Sequence, residues 1–361
     1  MRRNLAIYHS VLEQFCKWLS DERITRVRLL AWWVTGMYLA ESVHLSKVAR
    51  KLPLGAQEPS VVNRLVRWLK NPRVRIQRDY RPVVLGIVQA LSRQQVRLIL
   101  DCTKVGVGHR LLTVSIAYRQ RAIPLAWRAY KGRKGHVSRQ EQIALLREVA
   151  PRLRGAREVW VLGDSGFQTV PLIRWVRSQG WHCGIRLSQL SDVRPAGGRW
   201  QPLSAWSLAP GQTITVGWVR LTQKYNYGWL WLVLHWAKGE DEPWYLVSDQ
   251  PDTCRTLRRY AIRAWTEELY GDLKGHGLDL EATHLRHADR IERLVLVAAL
   301  VYTWLLTLGS WVVKRGFRAQ VDRKRRRDKS YFRIGWDWLE RQLAHGWPWH
   351  LRFVPKATPR K

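Results

Sequence analysis

Residues 255–278 read RTLRRYAIRAWTEELYGDLKGHGL. At helical spacing, about 100° per residue, Tyr260 sets a face to which Arg263 returns near about −60°, Glu267 near −20° and Lys274 near −40°. Glu268 falls near about +80° and points elsewhere. A phenol, a guanidinium, a carboxylate and an ammonium on one narrow face are odd for a buried stripe, although a solvated face with i,i+4 pairing would show the same residues. Glu267 offers a carboxylate to a metal ion, and Arg263 and Lys274 offer charge to phosphate.

Upstream, short apolar runs alternate with helical spacing. VRLILD (96–101), RLLTVSIAYR (110–119), AIPLAWRAY (122–130), EVWVLGD (158–164) and HCGIRLS (182–188) read as strands. RQEQIALLREVAPRL (139–153) and PLIRWVRSQG (171–180) read as helices. The order predicts a mixed α/β sheet covered by helices. With the first and fourth strands parallel neighbours, Asp101 and Asp164 meet at their carboxyl ends, where open α/β sheets place their sites. Adjacent carboxylates repel and call for a cation, and hard oxygen ligands favour Mg²⁺ or Mn²⁺. Each acid ending a strand at an ordinary turn is the plainer alternative.

Residues 196–250 alternate in strand fashion (ITVGWVRL, WLWLVLHW, WYLVSD) and hold Trp200, Trp206, Trp218, Trp229, Trp231, Trp236 and Trp244. These predict an antiparallel β insertion whose tryptophans either fill the core of a small sheet or stack on an unpaired base. Residues 1–95 read as helices. Leu45, Val48, Ala49 and Leu52 form one stripe, LPLGAQEPS interrupts, and Val61, Val62, Leu65, Val66 and Leu69 form another, with Arg64, Arg67 and Lys70 opposite. This pair resembles a helix-turn-helix, or belongs to a plain helical bundle. Leu294–Val313 is uncharged over twenty residues, long enough to cross a bilayer. Its threonines, Gly309 and Ser310, and the charged sequence at both ends, favour a buried core helix. Beyond it lie the basic run KRGFRAQVDRKRRRDKS and an amphipathic stretch, SYFRIGWDWLERQLAHG.

The charge balance narrows the partners. Lys and Arg number 62 and Asp and Glu 28, a formal net charge of +34, so a polyanion, nucleic acid before anionic membrane, is the expected counterpart. Cys16, Cys102, Cys183 and Cys254 stand far apart, which argues against a disulfide scaffold and for a reducing cytosol. The N-terminus lacks the apolar core of a signal peptide. His276, His284 and His287 lack the ligand count of a zinc site, and Lys104, Gly106 and Gly108 lack phosphate-loop spacing.

Tyr260, two residues, Arg263, three residues, Glu267, six residues, Lys274 resembles the tyrosine–arginine–glutamate–lysine signature of DDE transposases of the insertion-sequence-four family. Asp101 in Asp-Cys-Thr and Asp164 in Asp-Ser-Gly-Phe are similar to the contexts of that family's first two acids. Ala264 stands where the family commonly has Trp, and Trp265 follows one position later. The resemblance implies an α/β, ribonuclease-H-like catalytic core (96–195 and 251–315) interrupted by a β-rich insertion (196–250). It adds a helical N-terminal DNA-binding domain (1–95) and a basic C-terminal segment with an amphipathic helix (316–361). It further implies Asp101, Asp164 and Glu267 as catalytic ligands of two Mg²⁺ or Mn²⁺ ions, and Tyr260, Arg263 and Lys274 as DNA-end contacts. The implied activity is DNA cleavage and strand transfer by a homodimer synapsing the terminal inverted repeats of double-stranded DNA, then engaging target DNA. The implied setting is the bacterial cytosol and nucleoid, without a membrane. The rivals are an inactive or domesticated DNA-binding relative and a nuclease that does not join strands.

Overall fold

The computed structural model describes residues 2–92, 95–132 and 137–355; residues 356–361 of the basic C-terminal segment lie outside the described residues. The chain begins with helices α1 (Arg2–Trp18), α2 (Ile24–Ala40), α3 (Leu45–Lys51), α4 (Glu58–Lys70), α5 (Ile76–Asp79) and α6 (Arg81–Leu91). α4 shows why: Val61, Leu65, Trp68 and Leu69 are buried at helical spacing, Pro59 sits in the first turn, and Arg64, Arg67 and Lys70 stay in solvent.

Strands β1 (Gln95–Val105), β2 (His109–Tyr118) and β3 (Arg121–Lys131) follow as an antiparallel meander. Helix α7 (Arg139–Val149) leads to β4 (Glu158–Gly163), and α8 (Val170–Ser178) to β5 (His182–Leu187). β1 pairs in parallel with β4, and β4 with β5. The expected adjacency of the first and fourth strands is therefore present. One detail differs: β1 does not stop at Asp101. Its pairing with β4 ends at Leu100↔Gly163, but pairing with β2 continues to Val105↔His109. Asp101 thus lies within a strand, where the parallel neighbour leaves off.

The Trp-rich stretch also differs from a small separate sheet. Strands β6 (Asp192–Pro195), β7 (Gln201–Pro202), β8 (Thr213–Leu221), β9 (Tyr227–His235) and β10 (Trp244–Ser248) continue the same sheet, with β10 antiparallel to β5. Among the described residues ten strands run in the order β3-β2-β1-β4-β5-β10-β9-β8-β6-β7. The core of this half is aliphatic (Val219, Leu221, Leu230, Leu232, Leu234, Leu246, Val247), and none of its seven tryptophans is fully buried. Trp218 and Trp229 are 37% and 41% exposed, so the expectation of a tryptophan core does not hold. Small β-branched and leucine side chains fill the narrow space, and the indoles remain at its margin.

Helices α9 (Thr253–Tyr260) and α10 (Trp265–Leu273), joined by a 3₁₀ turn (Ala261–Ala264), replace the single helix expected over 255–278. α9 lies against β5 and β10, whereas α10 lies against β1, β2 and β3. The chain crosses from one half of the sheet to the other and must bend between them. α11 (Ala288–Lys314) is the apolar helix, long and apolar enough to cross a membrane, and 94% of its most apolar 18-residue stretch is buried by the rest of the chain. It binds β3 through Glu292, whose carbonyl accepts from Trp127 Nε1 (3.0 Å) and whose Oε1 accepts from the Ala129 N–H (2.9 Å). It also holds the N-terminal helices: Arg293 donates to the Leu69 carbonyl (2.8 Å), and Thr303 bonds the Tyr80 hydroxyl (3.1 Å). α12 (Tyr331–His345) crosses α11 at close range, and Phe353 returns to pack on Phe15 and Trp18.

Candidate active site

Two acids come from neighbouring strands. Asp101, 6% exposed, points its Oδ1 at the Cys102 N–H (2.7 Å). Asp164 follows directly on β4 and caps the next turn, accepting from the Gly166 N–H (2.9 Å), while buried Phe167 pins that turn to the core. Since Leu100 pairs with Gly163, these carboxylates leave adjacent strands at the same level.

The bend between α9 and α10 brings the third acid over them. Arg263, within the 3₁₀ turn, donates to Asp101 Oδ2 (3.3 Å) and to Glu267 Oε1 one helical turn on. Asp164 also acts on the same guanidinium through space. Glu267 is otherwise open, its side chain 60% exposed. Glu268 faces away and pairs with Arg121 (2.9 Å), which also holds Asp272 (3.0 Å), as the helical register predicts.

The remaining signature residues take distinct places. Tyr260 is 3% exposed, edge-on to Trp244 with ring centroids 5.1 Å apart, so it supports the site from beneath. Burial pushes its phenol up to about 12, against the pull of Arg263 and Arg186. Lys274 is not helical; it ends α10, and its Nζ donates to Thr103 Oγ1 (2.9 Å) and pairs with Glu281 (2.9 Å). Thr103, two residues beyond Asp101, therefore ties β1 to the end of α10. Sequence reasoning missed Tyr270, whose hydroxyl bonds Thr113 Oγ1 (2.7 Å), directly opposite Asp101 across the β1–β2 pair. Its i+3 spacing from Glu267 was the available signal. Also missed was Arg186, held by Glu242 (2.8 Å) in a cleft of about 550 Å³ next to Ser165, lined further by Trp206 and Trp236.

Burial pushes the Asp101 carboxyl up to about 6; Asp164 and Glu267 add to the push, and Arg263 and the Cys102 N–H oppose it. Burial likewise raises Asp272 to about 6, against Arg121. A carboxyl whose folded pKa exceeds its unfolded one stabilises the fold below the ordinary carboxylate range and loses that contribution as pH rises through about 6. In chelator, thermal stability is therefore expected to decline between about pH 4 and pH 7 in part through these two groups. Asp101→Asn should show a shallower decline in melts across that window; an unchanged slope would contradict the burial of Asp101.

A family model for the transposase DDE domain matches residues 94–304. The chain belongs to the DDE transposases. The matched span contains β1 through most of α11, and all six residues singled out from the sequence lie within it. This transposase is similar, at 10% identity and a TM-score of 0.47, to a cryo-EM structure of a piggyBac transposase synaptic complex with hairpin DNA; the match covers 98% of this chain and 84% of that one. No curated protein matches it.

Proposed function

We propose that this transposase cuts DNA at transposon ends and joins them to target DNA by phosphoryl transfer at Asp101, Asp164 and Glu267, as a member of the insertion-sequence-four family. The observation that carries the reading is the gathering of acids from β1, the end of β4 and α10 around one guanidinium. The strand order β3-β2-β1-β4-β5, with β1, β4 and β5 parallel, supports a ribonuclease-H-like core.

The donors fit a hard divalent cation: they are carboxylate oxygens, and those of Asp101 and Glu267 already face a cationic group. Two Mg²⁺ or Mn²⁺ ions held by Asp101, Asp164 and Glu267 would supply Lewis-acid activation of a water or 3′-hydroxyl and neutralise charge on the leaving oxygen. The chain's own part is positional. Tyr270 and Thr113 lock α10 to β2 directly opposite Asp101, Tyr260 and Trp244 hold the bend, and Arg263 and Lys274 present charge to end phosphates. The cleft holding Trp206 and Trp236 offers stacking faces to an unpaired base beside the reacting strand. The exposed Arg64, Arg67 and Lys70 of α4 suit the N-terminal helices to duplex contact, in a homodimer synapsing two ends.

The test supplies a pre-cut end with a free 3′-hydroxyl, a supercoiled plasmid and Mg²⁺. Joined product that disappears in chelator is expected. Nicking without joining would favour a nuclease on the same core, and binding without either an inactive relative. Affinity for duplex should be steeply salt-dependent: with about six to ten phosphates neutralised, it falls roughly 10³- to 10⁵-fold between 50 and 200 mM salt. Fluorescence anisotropy at graded salt measures this, and a flat profile would speak against backbone contact.

A further inference from the structure

Three acids and one arginine cannot all be satisfied twice. Arg263 places one terminal nitrogen on Asp101 and the other on Glu267, with its side chain only 20% exposed. Among the described residues no three acid, histidine or cysteine groups stand ready to hold a metal ion. The guanidinium fills that role instead: it stays charged, and its planar fork matches two carboxylates at once. Lys274, by contrast, is matched by Glu281 and has its hydrogen bond to Thr103.

We infer that Arg263 is a specificity-determining latch, which holds the acids closed to divalent ions until a DNA backbone phosphate draws its guanidinium away. The inference rests on the metal-site reading above. A phosphate is the natural competitor, because it offers the same paired oxygen acceptors as a carboxylate. The turn that carries Arg263 has exposed Ala261 and Ala264 on either side, while Tyr260 is anchored beneath, so the long side chain is free to reorient without moving the helices. Once it turns outward, Asp101, Asp164 and Glu267 are left as a cluster of uncompensated negative charge, and their attraction for a divalent ion rises. Linkage makes the effect mutual: duplex strengthens ion binding, and the ion strengthens duplex binding by the same factor. The consequence is that hydrolytic chemistry is confined to protein already seated on DNA.

The experiment measures Mn²⁺ binding directly, from the electron paramagnetic resonance signal of the free ion, with and without a short duplex oligonucleotide. Wild type is compared with Arg263→Gln and Arg263→Lys, each checked for folding by near-ultraviolet circular dichroism. Without duplex, Arg263→Gln is expected to bind Mn²⁺ about tenfold more tightly than wild type. Duplex should tighten wild-type binding by a similar factor and improve Arg263→Gln much less. Arg263→Lys keeps the charge on a shorter side chain without the planar fork, and should fall between wild type and Arg263→Gln. Equal affinities for wild type and Arg263→Gln, or Arg263→Lys indistinguishable from wild type, would overturn the latch. Adding Asp101→Asn to Arg263→Gln separates the two levels. If Mn²⁺ binding is lost while wild type had matched Arg263→Gln, the latch alone fails. If it is unaffected, the acids are not the metal site and both readings fail.

Discussion

Asp101→Asn, Asp164→Asn and Glu267→Gln are each expected to lose nicking and strand transfer by on the order of 10³-fold or more, with duplex binding near wild type. On the proposed metal-ligand role, the size follows from what such a carboxylate would contribute: several kcal/mol of transition-state charge stabilisation, each 1.4 kcal/mol of it about a factor of ten in rate. The amides preserve shape, and the Cys102 N–H and Gly166 N–H that position the two aspartates can still donate to an amide oxygen. Glu268→Gln is the internal control. It lies one residue from Glu267 but pairs with Arg121, so it should keep its chemistry. Gel assays of end cleavage, beside anisotropy for binding, read the contrast. Normal cleavage by any one of the three variants would remove that residue from the site, and loss in Glu268→Gln alone would transfer the role to it.

Gly309→Ala and Gly335→Ala are each expected to destabilise the fold by about 3 kcal/mol or more. At the crossing of α11 and α12 the two backbones touch. A methyl group on Gly309 would lie 1.7 Å from the Tyr331 carbonyl oxygen, and one on Gly335 would lie 1.9 Å from that of Leu305. Neither carbonyl belongs to a flexible side chain, so the helices themselves must separate. Separation loosens Tyr302, Trp304, Phe332, Trp336 and Leu339, all buried at or near this crossing. The contacts are reciprocal, since each added methyl also meets the other glycine's nitrogen at 2.8 Å. The double variant should therefore cost less than the sum of the singles. Urea titration measures all three; losses below about 1 kcal/mol would mean that the crossing yields easily.

Much of the sheet is legible in the sequence because strands with covered faces are apolar runs, and those ending near Asp101 and Asp164 are of that kind. Glu267 could be singled out over Glu268 because one helical turn relates it to Arg263, and α10 keeps that register across the bend. The bend itself was not legible. Nothing in local spacing says that α9 answers to β5 and β10 while α10 answers to β1–β3; that division comes from the sheet. The extension of β1 past Asp101 to Val105 escaped for a similar reason, since Thr103 and Lys104 break the apolar run and only pairing with β2 keeps the strand extended. The tryptophans of β8 and β9 misled because aromatic content signals burial on average but not which layer is deep enough for an indole. The contact of Gly309 with α12 was invisible in a segment that otherwise reads as an unbroken apolar helix.

α11 has a consequence for how the molecule comes into being. Its neighbours include α2 and α4 near the start of the chain, β3 midway and α12 near the end. A nascent polypeptide leaving the ribosome therefore lacks its central pillar until residue 288 and beyond have emerged. Until then the faces of α2, α4 and β3 that pack on it stand open to chaperones and to neighbouring chains. Successful production of the enzyme is thus decided late in translation, in the seconds when one greasy segment threads between parts already made.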